Sequence, residues 1–402
     1  MDWKEIGEYF RRLPKKFNYI LILQIFPLLF ISSMLVKEIN PALFHKQMMY
    51  YIVAAIAFTI TVFIPWKRVL WWFAPLSYTV NIMLLIAVEF IGYKILGAQR
   101  WIKIPGIGFT VQPSEFIKVS VVLMLGFMIM QRPPPEKGYG FIDFAMLSVV
   151  IIIPFILIAI EPDLGTGLVL LMTGYGILFL NKFKPIVWIV FFITAGAIMF
   201  FGYMNLLKDY QKKRIHDFVN KPSYHVQQAL IAIGSGGLKG KSEDEATQTK
   251  LKFLPISSSD FIFAYLGERL GFTGMIIVVI IYILLIVHLL RLSYIYSDDY
   301  LIASVASGMA FLFFIYMGVN IYMIIGLAPV VGVPLPMFSH GGTSFIIFAV
   351  FFGILINLIA VKSYVEYNAD AKITMMKKET LKRSPKASIR KRRLQDSNNI
   401  IS

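Results

Sequence analysis

The segment FLPISSSDFIFAYLGERLGFTG, residues 253 to 274, places one carboxylate, Asp260, where a charged polar loop gives way to a long apolar run. A carboxylate costs about 2.5 to 3.5 kcal/mol at the centre of a membrane helix, so one kept at the mouth of such a run is expected to face a cavity or a substrate. A second charged set lies in GAQRWIKIPGIGFTVQPSEFIK, residues 97 to 118, where Arg100, Trp101 and Lys103 gather ahead of Glu115 and Lys118. The i,i+3 spacing of the last two puts both charges on one helix face, where they neutralise each other. That pair either locks helices together or lines a polar cavity between them. In EPDLGTG, residues 161 to 167, Asp163 opens an apolar helix and acts either as an ordinary N-cap or as a substrate-facing group. In GVPLPMFSHGGTS, residues 332 to 344, prolines and glycines break the helix and leave Ser339 and His340 in irregular backbone. Such backbone survives at membrane depth only where protein or water satisfies it, so a cavity rim is expected. A lone His340 reads as structural rather than catalytic.

GSGGLKGKS, residues 234 to 242, invites comparison with a phosphate-binding loop, but the Walker spacing counted back from Gly240, Lys241 and Ser242 demands glycine where Ser235 stands. Nucleotide binding is therefore rejected. Glycine-rich backbone beside Lys239 and Lys241 could still cradle another phosphorylated ligand.

These residues need a frame, and composition supplies it. With 402 residues, 57% hydrophobic, 34 Phe and a mean hydropathy of +0.70, the chain holds more apolar side chain than one soluble core buries. An all-α polytopic membrane protein follows. Zero Cys excludes disulfides, thiolate metal sites and a Cys nucleophile. Ten segments have the length, about 20 residues, that crosses about 30 Å of hydrocarbon. They run over 18–36, 48–65, 69–91, 111–130, 143–160, 163–181, 185–204, 260–290, 300–326 and 342–362. The first follows Arg11, Arg12, Lys15 and Lys16 without a small-residue cleavage site behind it, and reads as a retained span. The eighth is too long for one upright helix and contains Glu268 and Arg269, so its first turns should stand above the hydrocarbon or in a cavity.

Basic residues in the short connections set orientation. Arg11 to Lys16, Lys67 and Arg68, Arg132 and Lys137, and Lys182 and Lys184 all fall on one side, which is then cytoplasmic together with both termini. The expected organisation is a cytoplasmic segment 1–17, a membrane domain 18–362 with a large outer loop 205–259, and a basic cytoplasmic tail 363–402. The tail either is attracted to anionic lipid or only sets topology. From 205 to 259 the outer loop carries nine Lys or Arg against five Asp or Glu.

GAQRWI with QPSEFIK, PDLGT, YHVQQALIAIGSGG, DFIFAYLGERLGFTG, and GVPLP followed by SHGGTS, in this order, resemble the shape, elongation, division and sporulation (SEDS) family over nearly the whole membrane region. KDYQKKRI at 208 to 215, ATQ at 246 to 248 and FLP resemble its rod-shape, RodA-like branch more than its division branch. The resemblance implies a peptidoglycan glycosyltransferase that polymerises lipid II into glycan strands during elongation. It marks Asp260 as the essential residue. Its chemistry would be general-base activation of an acceptor hydroxyl, with inversion in one displacement and cations receiving the leaving pyrophosphate. Arg100, Lys118, Lys239 and Lys241 are the candidate cations, with Glu115, Asp163 and Ser339 as further cavity residues. Cofactor identity stays unknown, a divalent cation being open and nucleotide excluded. The implied partners are lipid II and the growing strand, a class B penicillin-binding transpeptidase, other elongation-complex membrane proteins and the bilayer, but no nucleic acid. The chain itself offers no soluble outer domain and no Ser-x-x-Lys at an outer helix start with which to cross-link peptides. Three departures from the family pattern stand out: Ile256 to Ser259 replace the usual residues before Asp260, Glu161 stands where Gln is common, and His340 where Tyr is usual. A lipid II flippase and a non-catalytic scaffold for a transpeptidase are the alternatives. A transporter should show broken helices in repeated halves, and no internal repeat is visible.

Overall fold

The computed structural model describes residues 13–95, 98–103, 110–161, 163–205, 223–246 and 257–383. The chain falls into two compact units, Met1–Asn18 with Ile356–Ser402, and Tyr19–Leu355. In the first, the described residues form a 3-10 turn, Leu13–Lys16, and the later part of the last helix. The second contains the remaining elements in the order α1 (Tyr19–Ile39), α2 (Pro41–Phe63), α3 (Trp66–Ile91), β1 (Tyr93–Ile95), β2 (Ala98–Lys103), β3 (Thr110–Val111), α4 (Pro113–Gln131), α5 (Phe141–Ile160), α6 (Leu164–Leu180), α7 (Pro185–Asn205), α8 (Tyr224–Gly236), α9 (Ile262–Ile295), α10 (Tyr300–Ile324) and the start of α11 (Gly342–Arg383).

Helix starts follow local chemistry. Asn40 Oδ1 accepts from the Ala42 N–H at 2.9 Å while Pro41, with no N–H to satisfy, occupies the first turn of α2. Asp299 caps α10 and Ser223 caps α8 in the same way. Among the described residues eight helices are long and apolar enough to cross a membrane: α1 to α5, α9, α10 and Gly342–Ser363. Two shorter apolar helices, Leu164–Leu180 and Pro185–Ile198, accompany them. Each of the ten segments expected from hydropathy falls on one of these helices. Leu23, Phe26, Phe30, Ile52 and Ile56 lie exposed along α1 and α2, a pattern that suits lipid rather than water.

α4 and α10 form the centre. α10 packs against α4, α6 and α9 and buries residues on every face, as a helix apolar all round must. The expected connection 92–110 holds an antiparallel three-stranded sheet in the order β1-β2-β3, with Tyr93 opposite Trp101 and Ile102 opposite Val111. Within the expected loop 205–259 the described residues 223–246 contain α8, which lies on the first turns of α9. A side chain at Gly236 would collide with the Gly267 carbonyl, so this crossing requires glycine. The α9 backbone breaks at Gly271, whose φ of 66° permits the kink. The Glu38 carboxylate at the end of α1 grips Arg269 through two hydrogen bonds, 2.6 and 2.9 Å, and accepts another from Tyr265 at 2.8 Å. The turns Ile262–Leu270 thereby pack beside the end of the first span, ahead of the kink. Helix α11 continues unbroken to Arg383, so helix extends well past the expected start of the tail at 363.

Candidate active site

Asp260 sits in the turn that leads into α9, and its backbone is clamped from two sides. Asn320 of α10 donates one amide group to two carbonyls, Asp260 O at 2.8 Å and Val333 O at 2.7 Å. Ser339 Oγ donates to Ser259 O at 2.7 Å and accepts from the Leu335 N–H at 2.8 Å, while the His340 N–H reaches Ser258 O at 2.9 Å. The irregular segment 332–341 is thus stitched to the Asp260 turn by main-chain groups that would otherwise lack partners. Ser339 is 4% exposed and its hydroxyl is spent on this stitching. Tyr282 Oη donates to Pro336 O at 2.7 Å, and the Ser32 hydroxyl donates to Phe338 O. His340 Nδ1 lies 3.1 Å from Gln47 Oε1; burial, with the charge of Lys46, lowers its pKa below the usual histidine range. A neutral imidazole tied into a buried network fits the structural reading of His340.

The Asp260 carboxyl faces Gly332, where the first carbon of any side chain would sit 3.4 Å from Oδ2. Gly332 also has φ 65°, a backbone position that strains other residues. Burial raises the Asp260 carboxyl above the usual carboxylate range; a hydrogen bond from Ser259 opposes the rise and the charge of Asp163 adds to it. A carboxylate raised in this way is a better proton acceptor near neutral pH than an ordinary one.

Asp163 belongs to the same neighbourhood, because the start of α6 packs Gly165 against Val331, next to Gly332. The aspartate both caps α6, accepting from the Thr166 N–H at 3.3 Å, and pairs with Arg100 Nη1 at 3.5 Å. Gln112 Nε2 donates to its other oxygen at 3.3 Å, and Arg100 Nε donates to Glu161 O at 3.2 Å. The sheet therefore delivers Arg100 to the α5–α6 turn. The N-cap reading of Asp163 is met, and the same carboxylate also pairs with Arg100.

Glu115 and Lys118 do pair, at 2.6 Å, and the lysine is 4% exposed. Sequence spacing did not reveal their third member, Tyr316 of α10. Its ring lies 4.6 Å below the ammonium and its hydroxyl contacts both charges. Lys118 is thus engaged at the α4–α10 contact. The cradle expected around Lys239 and Lys241 is closed at two points, since the Gly240 N–H donates to Gly236 O at 2.8 Å and the Lys241 N–H to Glu268 O at 3.0 Å. The Phe272 and Thr273 N–H groups reach back to Gly237 O and Leu238 O, so the glycine run docks on the α9 kink. The Lys239 side chain remains exposed and that of Lys241 partly exposed. Among the described residues no group of three or more His, Cys, Asp or Glu side chains is arranged to hold a metal. A cavity of about 200 Å³ lined by Phe127, Arg132, Tyr139 and Asp143 lies at the opposite end of α4 from the Asp163 cluster.

A predominantly helical, multi-pass membrane protein with a carboxyl in the turn before a long apolar helix, near an arginine–aspartate pair, is the class these features define. The chain belongs to the FtsW/RodA/SpoVE family of cell cycle proteins, whose sequence signature matches residues 15–364. It is 46% identical over 360 residues to the peptidoglycan glycosyltransferase MrdB of Helicobacter pylori, covering 89% of this chain and 94% of that protein. The MrdB of Escherichia coli K12 is 38% identical over 293 residues, 71% of this chain and 77% of that one. A chain from a solved peptidoglycan synthase complex that coordinates polymerization and crosslinking superposes with a TM-score of 0.72 at 23% identity, over 85% of this chain and 97% of its own. Thermus thermophilus RodA superposes with a TM-score of 0.64 at 22% identity, over 85% and 96%.

Proposed function

We propose that this protein is a peptidoglycan glycosyltransferase of cell elongation, polymerising lipid II into glycan strands, with Asp260 as general base. The observation that carries the assignment of the base is the clamped Asp260 turn. The Asp260 backbone is held by Asn320 and its flanking serines by Ser339 and His340, while its carboxyl faces a glycine that leaves room beside it. In the reaction, Asp260 takes the proton of an acceptor sugar hydroxyl as that oxygen attacks the anomeric carbon of the donor. Pyrophosphate departs from the opposite face, so the α-linked donor gives a β-linked product in one displacement. Arg100, Lys239 and Lys241 are the cations assigned to the developing charge on the leaving group, and a preorganised cation stabilises that charge without reorganisation. The bacterial cytoplasmic membrane is the site of action, with ten crossings, both termini inside, and the segment 205–259 outside. Residues 206–222 and 247–256 of that segment lie outside the described residues.

The direct test is purified protein given lipid II in detergent, with products separated by chain length. Glycan ladders from the wild type and none from Asp260→Asn are expected. Ladders of equal yield from that variant would overturn the assignment of the base, and no ladder from the wild type under any condition would favour the transporter or scaffold alternatives.

A further inference from the structure

The α5–α6 turn holds a second acid for which the displacement reaction has no use. Glu161 is 1% exposed, and neither of its carboxyl oxygens has a hydrogen-bond partner among the described residues. Arg100 reaches this residue only through its main-chain carbonyl, and turns Nη1 to Asp163 instead. The charged groups facing the Glu161 carboxyl are Asp163 at the start of α6, Glu89 near the end of α3, and Arg100 of β2. A carboxylate there would be stripped of water, offered no donor among the described residues, and repelled by two other acids against one cation already engaged. Retaining the proton is the cheaper state.

We propose that Glu161 is an uncharged positioning acid. Protonated, it leaves Arg100 to Asp163 and so fixes the turn beside Asp260; ionised, it competes for Arg100 and dismantles that face of the site. Burial first, then the charges of Asp163 and Glu89, push this carboxyl up to about 8, with Arg100 opposing. Ionisation therefore falls just above neutral pH. The consequence for catalysis rests on the glycosyltransferase reading given above, whereas the consequence for stability does not.

Two windows follow from the sign of the shift. In the unfolded chain Glu161 titrates near its ordinary value of about 4.3, so between there and pH 8 the unfolded chain has lost a proton that the folded one keeps. Folding stability then falls as pH rises through that window and levels off above it. Activity follows the protonated fraction of the folded protein, and its loss begins only near pH 8.

The experiment measures both in detergent for the wild type, Glu161→Gln, which is nearly isosteric and cannot ionise, and Glu161→Met, which is uncharged and cannot donate. Initial polymerisation rates from lipid II are taken from pH 6 to 9.5, and melting temperatures from pH 5 to 9.5. The ratio of wild-type to Glu161→Gln rate is expected to be constant below pH 7 and to drop about tenfold by pH 9, one unit above the titration. The melting-temperature difference between them should widen up to about pH 8 and then stay level, and Glu161→Met should reproduce the flat profiles of Glu161→Gln. A rate ratio independent of pH would overturn the positioning role. A melting difference independent of pH would overturn the buried uncharged acid itself. If no protein polymerises lipid II while the melting difference widens as described, the functional reading fails and the uncharged acid stands.

Discussion

A carboxylate works as a base only while something keeps it accessible and aimed, and at Asp260 the aim comes from its neighbours' main chain. On the proposed reading, replacing Asp260 with Asn removes the proton acceptor but none of the groups that hold the turn. Polymerisation should fall by about 10²- to 10⁴-fold, the usual contribution of a general base. Because burial raises this carboxyl, its ionised form is a liability to the fold above the ordinary carboxylate range, so the Asn variant should melt no lower than the wild type at pH 7. The same shift displaces the acid limb of the wild-type pH–rate profile upward from the range of a free aspartate. Asn320 extends the argument to a residue with no part in proton transfer. Asn320→Leu leaves the Asp260 and Val333 carbonyls without their donor, and a displacement of about 1 Å at a reacting group can cost about a hundredfold. We expect kcat to fall by roughly that factor with KM changed much less, which single-turnover and steady-state rates on lipid II separate. The placement of Asp260 before a long apolar helix was legible because a lone acid ahead of an apolar run is conspicuous. Asn320 was not, because one amide within a span reads as ordinary helix packing until its two acceptors, 60 and 13 residues away, are known.

Among the elements, α4 and α10 depend on one buried ionic contact. Removing either Glu115 or Lys118 strands a charge next to Tyr316, and breaking such a buried pair costs about 3 to 5 kcal/mol, whereas removing both together costs less than the sum. Melting temperatures of Glu115→Ala, Lys118→Ala, the double variant and the wild type check this. Losses that simply add would mean the side chains do not interact. Spacing alone revealed the pair, since i,i+3 neighbours share a helix face, but tertiary packing supplied Tyr316. The long helices were legible from their apolar length; α8, a 13-residue helix within the expected loop, was not. The sheet was not, because strands of three, six and two residues carry too little alternation to stand out, and they exist only through pairing with one another. The glycine run at 234–240 was ambiguous for a physical reason. Docking on a kinked helix and cradling a phosphate both require small residues with free backbone N–H groups, and the sequence is the same until the acceptors are seen. Here the acceptors are Gly236 O and Glu268 O.

At the scale of the molecule, the proposed reading pairs strand synthesis by this chain with cross-linking by a separate transpeptidase. A class B penicillin-binding protein would dock its membrane helix against the lipid-facing surface, where apolar side chains such as Phe26 and Phe30 already lie exposed. Within lipid, that association draws on close packing rather than on a hydrophobic drive. The partner's outer stalk would rest on the segment 205–259, of which α8 is in contact with the first turns of α9: His225 stacks 6.0 Å from Phe261, the residue after Asp260. Under the proposed reading, pressure on α8 reaches Asp260 by this ring contact together with the Gly236–Gly267 crossing. Couplings of this kind typically change a rate or affinity by about 5- to 150-fold. Purified protein should polymerise lipid II slowly alone and at least about fivefold faster with its cognate transpeptidase, including a form whose nucleophilic serine has been removed. His225→Ala should keep the complex intact on copurification yet lose most of that stimulation. If the serine-free partner copurifies tightly and gives no stimulation, the outer segment does not transmit to Asp260, and the partner serves only to bring cross-linking to the product.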